Sequence, residues 1–456
     1  GVDNVDVPAA TQQGVLVVNS PEGNTIAAAE HALAMMLSLS RHVPQAHSGM
    51  RNGKWDRKKF VGNELYKKTL GVVGLGKIGS HVARVCQAMG MDVIAYDPFV
   101  AADRAQQMRV RLTELDDLFR TADYVTLHIP RTKDTENLVN ADLLRTMKPT
   151  ARIVNCARGG VVDEAAIAEA IDQGVIAGAG LDVYASEPLA EDSPLRAVER
   201  GLVLTPHLGA STEEAQENVA IDVAEQIRDV LLGLPARSAV NIPGLSAEIM
   251  QRLKPHLQLA ETVGLLVSQL AGGHVKELEL RLQGEFAHHP SQPLVIASLK
   301  GLLSAALGDS INFVNASLEA KARGIQVLEV KDESSRDFAG GSLQITTRGD
   351  QGSRSVTGAV FADDELRITS IDEFPVTVSP SRHMLFTRHR DMPGIIGRLG
   401  SMLGEHNVNI ASMQVGRKIV RGDAVMVLSI DDPIPDALLE TINGIDGIQE
   451  AHPVTL

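Results

Sequence analysis

The sequence predicts an α/β chain: a doubly wound parallel sheet, then an α+β segment, then a small βαββαβ module. Three observations carry this reading. Short β-branched runs at 70–73, 92–96, 124–127, 152–155 and 202–205 alternate with helical stretches. That is the pattern of buried parallel strands joined by crossover helices. Beyond Asn241-Ile242-Pro243-Gly244 the period falls to two. Leu278, Leu280 and Leu282 face one way, Glu279 and Arg281 the other, as in half-exposed antiparallel strands. From His383 the order is strand (384–387), helix (394–405), strand (409–416), strand (424–430), helix (435–443), strand (448–455), which matches a ferredoxin-like unit.

With 456 residues and roughly 100–200 residues per domain, two to four domains are expected. The net charge of −14 opposes non-specific binding to nucleic acid. No apolar run approaches the roughly 18 residues of a membrane span, so no membrane partner is expected. The most apolar stretch, 26–39, is broken by Glu30 and His31 and reads as a buried core helix. Cys86 and Cys156 are the two cysteines; they form no disulfide framework, which suggests a reducing, cytoplasmic setting. No signal peptide is read, and the opening Gly1-Val2-Asp3-Asn4 suggests a start inside a fold.

The first strand, ending in Val72-Val73, runs into Gly74-Leu75-Gly76-Lys77-Ile78-Gly79 and then a helix over 78–89. This is the context in which a glycine turn cradles a dinucleotide. Gly74 permits the tight turn, Gly76 lets backbone N–H groups approach a pyrophosphate, and Gly79 lets helix and strand pack closely. Asp97 ends the second strand, where a carboxylate bonds a ribose diol and repels a 2′-phosphate; NAD is therefore expected over NADP. Lys77 is either a phosphate contact or a solvated residue at the helix start. Further on, Ser211 and Thr212 can cap a helix over 211–233, which Gly233 and Pro235 stop.

Three loops then supply complementary chemistry. Arg158, before two glycines, can grip a carboxylate with two prongs. His207 follows the strand at 202–205, where an α/β sheet presents its site. Glu187, before Pro188, can hold one imidazole nitrogen and fix its tautomer. Alone, each fits a bland loop or turn. Together, downstream of a dinucleotide turn, they suggest alcohol–ketone redox chemistry with His207 as acid/base. No metal site is read from the spacing.

At these residues the chain resembles the D-isomer-specific 2-hydroxyacid dehydrogenases, and among them the long, multidomain phosphoglycerate-oxidising branch. The resemblance runs through 1–6, 24–30, 53–55, the glycine turn, 155–164, 181–188 and 206–212. It implies that Arg158 binds substrate, that Glu187 tunes the base and that His207 is the general acid/base. It puts Asp182 near the nicotinamide amide and groups Ile78, Cys156, Gly209 and Ala210 with the cofactor contacts. It also implies an incomplete flavodoxin-like substrate domain: 1–22 a remnant of it, 23–207 the NAD-binding domain, 208–238 a return, 239–380 an intervening regulatory domain and 381–456 an ACT-like domain. In the family, a segment before the Gly-Val-Asp turn builds most of the substrate domain and supplies phosphate-pocket bases. The chain is expected to bind NAD, with its own turnover left open. Lys68 stands where a glycine is usual, a local departure.

Within the last module, His389-Arg390-Asp391-Met392-Pro393-Gly394 and Asn407-Val408-Asn409-Ile410 resemble an ACT signature. By that resemblance His389, Asp391 and Asn409 are effector candidates, L-serine is the expected ligand, and a homo-oligomer, dimer or tetramer, is implied. The alternative is a dimerisation module with no effector site. The expected activity is NAD-dependent oxidation of a phosphorylated 2-hydroxy acid. The rivals are another 2-hydroxy or 2-oxo acid as substrate, or a non-catalytic NAD-sensing scaffold.

Overall fold

The computed structural model describes residue 2 and residues 4–244, 247–333 and 341–456. Gly1 and Asp3 of the opening resemblance lie outside them, as do 245–246 and 334–340 of the expected intervening domain. The chain divides into two compact units, Ser20–Glu225 and Gly1–Asn19 with Gln226–Leu456.

Seven parallel strands build the sheet of the Ser20–Glu225 unit: β1 (Thr69–Val73), β2 (Asp92–Tyr96), β3 (Arg111–Leu112), β4 (Tyr124–Leu127), β5 (Arg152–Asn155), β6 (Gly178–Leu181) and β7 (Leu202–Leu204). Their spatial order is β3-β2-β1-β4-β5-β6-β7. The strand order therefore winds outward in opposite senses from β1 and from β4, and at such a switch point the strand ends open a crevice. Every residue of β4, β5 and β6 is buried, because helices cover both faces; the polar exceptions are Thr126, Arg152 and Asn155.

Two of these strands carry no sequence signal. β3 is two residues long. β6 is Gly178-Ala179-Gly180-Leu181, with no β-branched residue at all. A Cβ on Gly178 would lie 2.2 Å from the Gly201 carbonyl oxygen, and one on Gly180 would lie 3.1 Å from Leu39. Close packing, not β propensity, selects these residues. Above them runs the helix Thr25–Arg41, which buries Ala28, Ala29, Ala32, Met35, Met36 and Leu39. It is amphipathic rather than wholly buried: Ile26 and Leu37 are exposed. The helix expected over 211–233 is Glu213–Leu231, and the Thr212 hydroxyl accepts from the Ala215 N–H at 3.1 Å.

The other unit holds a short helix, Val7–Gln12, a single antiparallel bridge between Val18 and Ala239, and two sheets. The first comprises β8 (Val275–Gln283), β9 (Gln326–Asp332), β10 (Ser342–Gly349), β11 (Gly352–Val360), β12 (Leu366–Ile371) and β13 (Phe374–Val378), in the order β13-β12-β11-β10-β8-β9. The alternation in β8 holds, with Leu278, Leu280 and Leu282 buried. The expectation of antiparallel pairing fails at one edge, where β9 pairs parallel to β8. The helix Ser291–Leu307 lies in the connection between them, and a crossover of that length returns the chain in the same direction.

The second sheet is antiparallel: β14 (His383–Arg390), β15 (Ile410–Arg417), β16 (Asp423–Ile430) and β17 (Ile448–Thr455), in the order β15-β16-β14-β17. With the helices Ile395–Glu405 and Asp436–Asn443 it completes the expected βαββαβ module. Leu385, Met426 and Leu428 pack with Leu399, Leu403 and Leu438 of those helices. Met384, Phe386, Val425, Val427 and Val454 instead join the core of the six-stranded sheet. A half-buried cation ties the two further. Arg354 of β11 pairs with Asp372 at 2.7 Å and with Glu450 of β17. Phe386→Ala is therefore expected to cost about 3–5 kcal/mol in urea unfolding followed by circular dichroism. Ile419→Ala, at an exposed position, should stay within about 0.5 kcal/mol.

Candidate active site

The glycine turn follows β1 directly. Gly74 has φ +93°, and a Cβ there would lie 2.6 Å from the His128 carbonyl oxygen. On Gly79, in the first turn of the helix Lys77–Ala88, a Cβ would lie 2.0 Å from the Gly74 carbonyl oxygen. Both glycines are demanded by the fold itself. Gly76 is not: a Cβ there would meet nothing within 4 Å. No side chain caps the helix that begins beside it, so its first N–H groups face the space that the missing side chain leaves. That cradle fits a pyrophosphate.

Around the turn, Asp97 accepts from the Leu75 N–H at 2.7 Å through Oδ2 and from the Phe99 N–H at 2.9 Å through Oδ1. The same carboxylate braces the glycine turn, with a lone pair to spare on each oxygen. Ile78 is half-buried against the core under the sheet. Lys77 pairs with Glu22 at the surface.

The remaining candidates leave the C-terminal ends of neighbouring strands. After β5, buried Asn155 shapes the loop: its Oδ1 accepts from the Ala157 N–H and its Nδ2 donates to the Arg158 carbonyl, both at 3.0 Å. The Arg158 guanidinium donates to the Ala157 carbonyl at 2.7 Å. A Cβ on Gly159 would lie 1.7 Å from the Tyr184 carbonyl oxygen, so this loop presses against the one after β6.

Asp182, at the end of β6, has no exposed side-chain surface. Its Oδ1 accepts from the Thr205 hydroxyl at 2.6 Å and the Leu208 N–H at 2.7 Å, and its Oδ2 from the Gly209 N–H at 2.9 Å. The His31 Nε2 lies 3.1 Å from Oδ1. Burial alone would raise this carboxyl; the hydrogen bonds from His31, Thr205 and Leu208 outweigh it and hold it below the usual carboxylate range. Cys156 lies close by. Burial, then the Asp182 charge, pushes its thiol up, which disfavours the nucleophilic thiolate. Ala210 follows Gly209, half-buried in the turn.

His207 stands on the loop that Asp182 holds. Its N–H donates to the Asp182 carbonyl at 2.8 Å, and its backbone adopts φ +54°. A non-glycine residue in that region costs about 1 kcal/mol or more, and the Asp182 bonds fix it there. Nδ1 of His207 is 2.7 Å from Glu187 Oε2, while Glu187 Oε1 accepts from the Tyr184 N–H at 3.0 Å. The carboxylate is thus oriented from the backbone, and it fixes the Nδ1–H tautomer, leaving Nε2 to exchange a proton. A cavity of about 500 Å³ opens beside the pair, lined in part by Tyr184, Arg196, Thr205 and Pro206.

Sequence reasoning missed His31. Its only signal was that it broke an apolar helical run. The effector candidates differ from the active-site set in being engaged locally. His389 is buried, with Nδ1 3.4 Å from the Thr387 hydroxyl, and burial lowers its pKa despite the nearby Asp391 charge. Asp391 accepts from Arg417 at 2.8 Å and from the Arg421 N–H at 3.1 Å, and Asn409 donates to Asp431 at 2.7 Å.

A doubly wound sheet with a glycine turn at its switch point, and an imidazole–carboxylate pair beyond a strand end, is the architecture of a dinucleotide-dependent oxidoreductase. Family comparisons narrow it. Residues 33–209 match the D-isomer specific 2-hydroxyacid dehydrogenase NAD binding domain, 252–372 the D-3-phosphoglycerate dehydrogenase intervening domain, and 383–447 the ACT domain. The D-3-phosphoglycerate dehydrogenase of Synechocystis is 63% identical over all of this chain and 82% of its own length. That of Bacillus subtilis is 40% identical over all of this chain and 86% of its own. A solved formate dehydrogenase from Granulicella M. aligns with 53% of this chain and 65% of its own at a TM-score of 0.50 and 26% identity. The chain belongs to the D-3-phosphoglycerate dehydrogenases, within the D-isomer-specific 2-hydroxyacid dehydrogenase family.

Gly76→Ala separates ligand space from packing space. The melting temperature should hold within about 2 °C, because the new methyl meets no protein atom. NADH affinity, read by fluorescence titration, should fall about tenfold or more. Gly79→Ala should instead lower the melting temperature.

Proposed function

We propose that this protein oxidises D-3-phosphoglycerate to 3-phosphohydroxypyruvate with NAD, the opening step of L-serine biosynthesis. The observation that carries the mechanism is the 2.7 Å contact between His207 Nδ1 and Glu187, on a loop locked to the sheet by Asp182. When bound, NAD supplies the hydride acceptor for C2 of the substrate. His207 Nε2 takes the proton of the C2 hydroxyl, and Glu187 stabilises the imidazolium that forms. Arg158 holds the substrate carboxylate and polarises the C2 oxygen. In the reverse direction His207 returns the proton. Asp97 meets the ribose diol, and its charge disfavours a 2′-phosphate.

The same reading assigns 23–207 to coenzyme binding, 1–22 and 208–238 to the substrate domain, 239–380 to the intervening domain and 381–456 to an effector module. His389, Asp391 and Asn409 would take L-serine at a seam between copies of the chain in a dimer or tetramer. The ligand ammonium would displace Arg417 from Asp391. A cytoplasmic setting suits this chemistry, and no helix among the described residues is long and apolar enough to cross a membrane.

His207→Ala should lower turnover by about 10³-fold or more, while NADH affinity stays within about twofold. NADH absorbance and fluorescence titration read the two; near-normal turnover would overturn the assignment. Calorimetric titration of the whole chain with L-serine should give saturable heat that Asn409→Ala removes. Silence at millimolar serine would leave the C-terminal module as a dimerisation unit.

A further inference from the structure

We propose that His31, Cys156 and Asp182 form a binding site for a zinc-class divalent cation, one that excludes the coenzyme while it is filled. The three come from separate elements: the helix Thr25–Arg41, the loop after β5 and the end of β6. A nitrogen, a sulfur and a carboxylate oxygen from them all lie within 4.8 Å of one another. His31 Nε2 and Asp182 Oδ1 are already 3.1 Å apart.

The chemistry of the set is selective. Imidazole, thiolate and carboxylate together suit Zn²⁺ and Co²⁺, whereas Mg²⁺ and Ca²⁺ prefer oxygen alone. Bond lengths of about 2.0 Å to nitrogen and oxygen and about 2.3 Å to sulfur put tetrahedral ligand atoms roughly 3.3–3.6 Å apart. The cluster therefore needs to close by about 1 Å, which side-chain rotation of Cys156 and His31 can supply. Asp182 Oδ2 carries a single protein hydrogen bond, from Gly209, so it has a lone pair to give. Three protein ligands leave a fourth position for water.

Protons balance simply. The thiol of Cys156 loses its proton to solvent. The His31 proton that now faces Asp182 leaves Nε2 as Nδ1 takes one up. One proton is released per cation bound. Exclusion of the coenzyme rests on the reading of Cys156 and Asp182 as neighbours of the nicotinamide; cation binding does not rest on it.

Cobalt is the probe, because a thiolate–Co²⁺ bond gives a near-ultraviolet charge-transfer band. Co²⁺ added to the coenzyme-free chain should raise that band to one equivalent, and Zn²⁺ should remove it. Cys156→Ser, which keeps Cys86, should abolish the band, and His31→Gln should weaken Co²⁺ binding about tenfold or more. Circular dichroism of both variants shows whether they fold. No band in the unmodified chain, or a band that survives in folded Cys156→Ser, overturns the site. Saturating NADH should suppress the band. A band indifferent to NADH overturns the exclusion, and dehydrogenase activity assayed without Co²⁺ tests the enzyme reading separately.

Discussion

One buried carboxylate holds the candidate active site together. Leaving Asp182 charged without solvent costs several kcal/mol, and the fold offsets this with donors from three places: the Thr25–Arg41 helix, the Thr205 hydroxyl, and the N–H groups of Leu208 and Gly209. Those last donors belong to the loop that carries His207. The same bonds that make the charge tolerable therefore define where His207, the proposed acid/base, can stand. They also hold its backbone in a left-handed conformation that the loop alone would not keep. Glu187 then has only to aim the ring; its own position is fixed through the Tyr184 N–H.

The parallel sheet explains why such distant residues meet. Every strand of the seven runs the same way, so Gly74, Asp97, Cys156, Asp182 and Thr205 all leave the sheet at one edge. Strand spacing of about 4.8 Å then sets their separations before any side chain is chosen. Glycine does the remaining work in two ways. At 74, 79 and 159 it admits backbone that would otherwise clash. At 76 it leaves room that nothing in the protein fills. Only the second kind points to a ligand.

Much of this was legible in the sequence where physics writes locally. Buried parallel strands are built around β-branched and apolar residues, and Val72-Val73, Val93-Ile94, Val125 and Ile153-Val154 marked four of them; half-exposed strands must alternate, and β8 did. The turn chemistry of 74–79 was likewise local. What was hidden was non-local. Nothing in Gly178-Ala179-Gly180-Leu181 announces a strand, because its glycines answer to Gly201 and to Leu39. Nor does anything in the run 326–332 reveal that β9 pairs parallel to β8. His31 looked like a flaw in a core helix, since its partner Asp182 lies across the sheet edge. The ACT-like signature supplied candidate residues, but no spacing rule shows that Asp391 is held by Arg417 or Asn409 by Asp431.

Those held partners bear on regulation. A module attached by a flexible linker could bind a ligand and transmit nothing, since coupling requires an element whose two arrangements both sites bias. Here the four-stranded sheet lends one face to its own helices and the other to the neighbouring core, with Met384, Phe386 and Val427 inside it. Arg354 closes the junction by bridging Asp372 and Glu450. β14 carries both Phe386, within that shared core, and His389, at the candidate effector site. On the proposed reading, a shift of β14 that accommodates a ligand near His389 would disturb the core on the opposite face. Packed cores yield in steps rather than continuously, so even a small displacement at the strand would select between discrete arrangements of the six-stranded sheet.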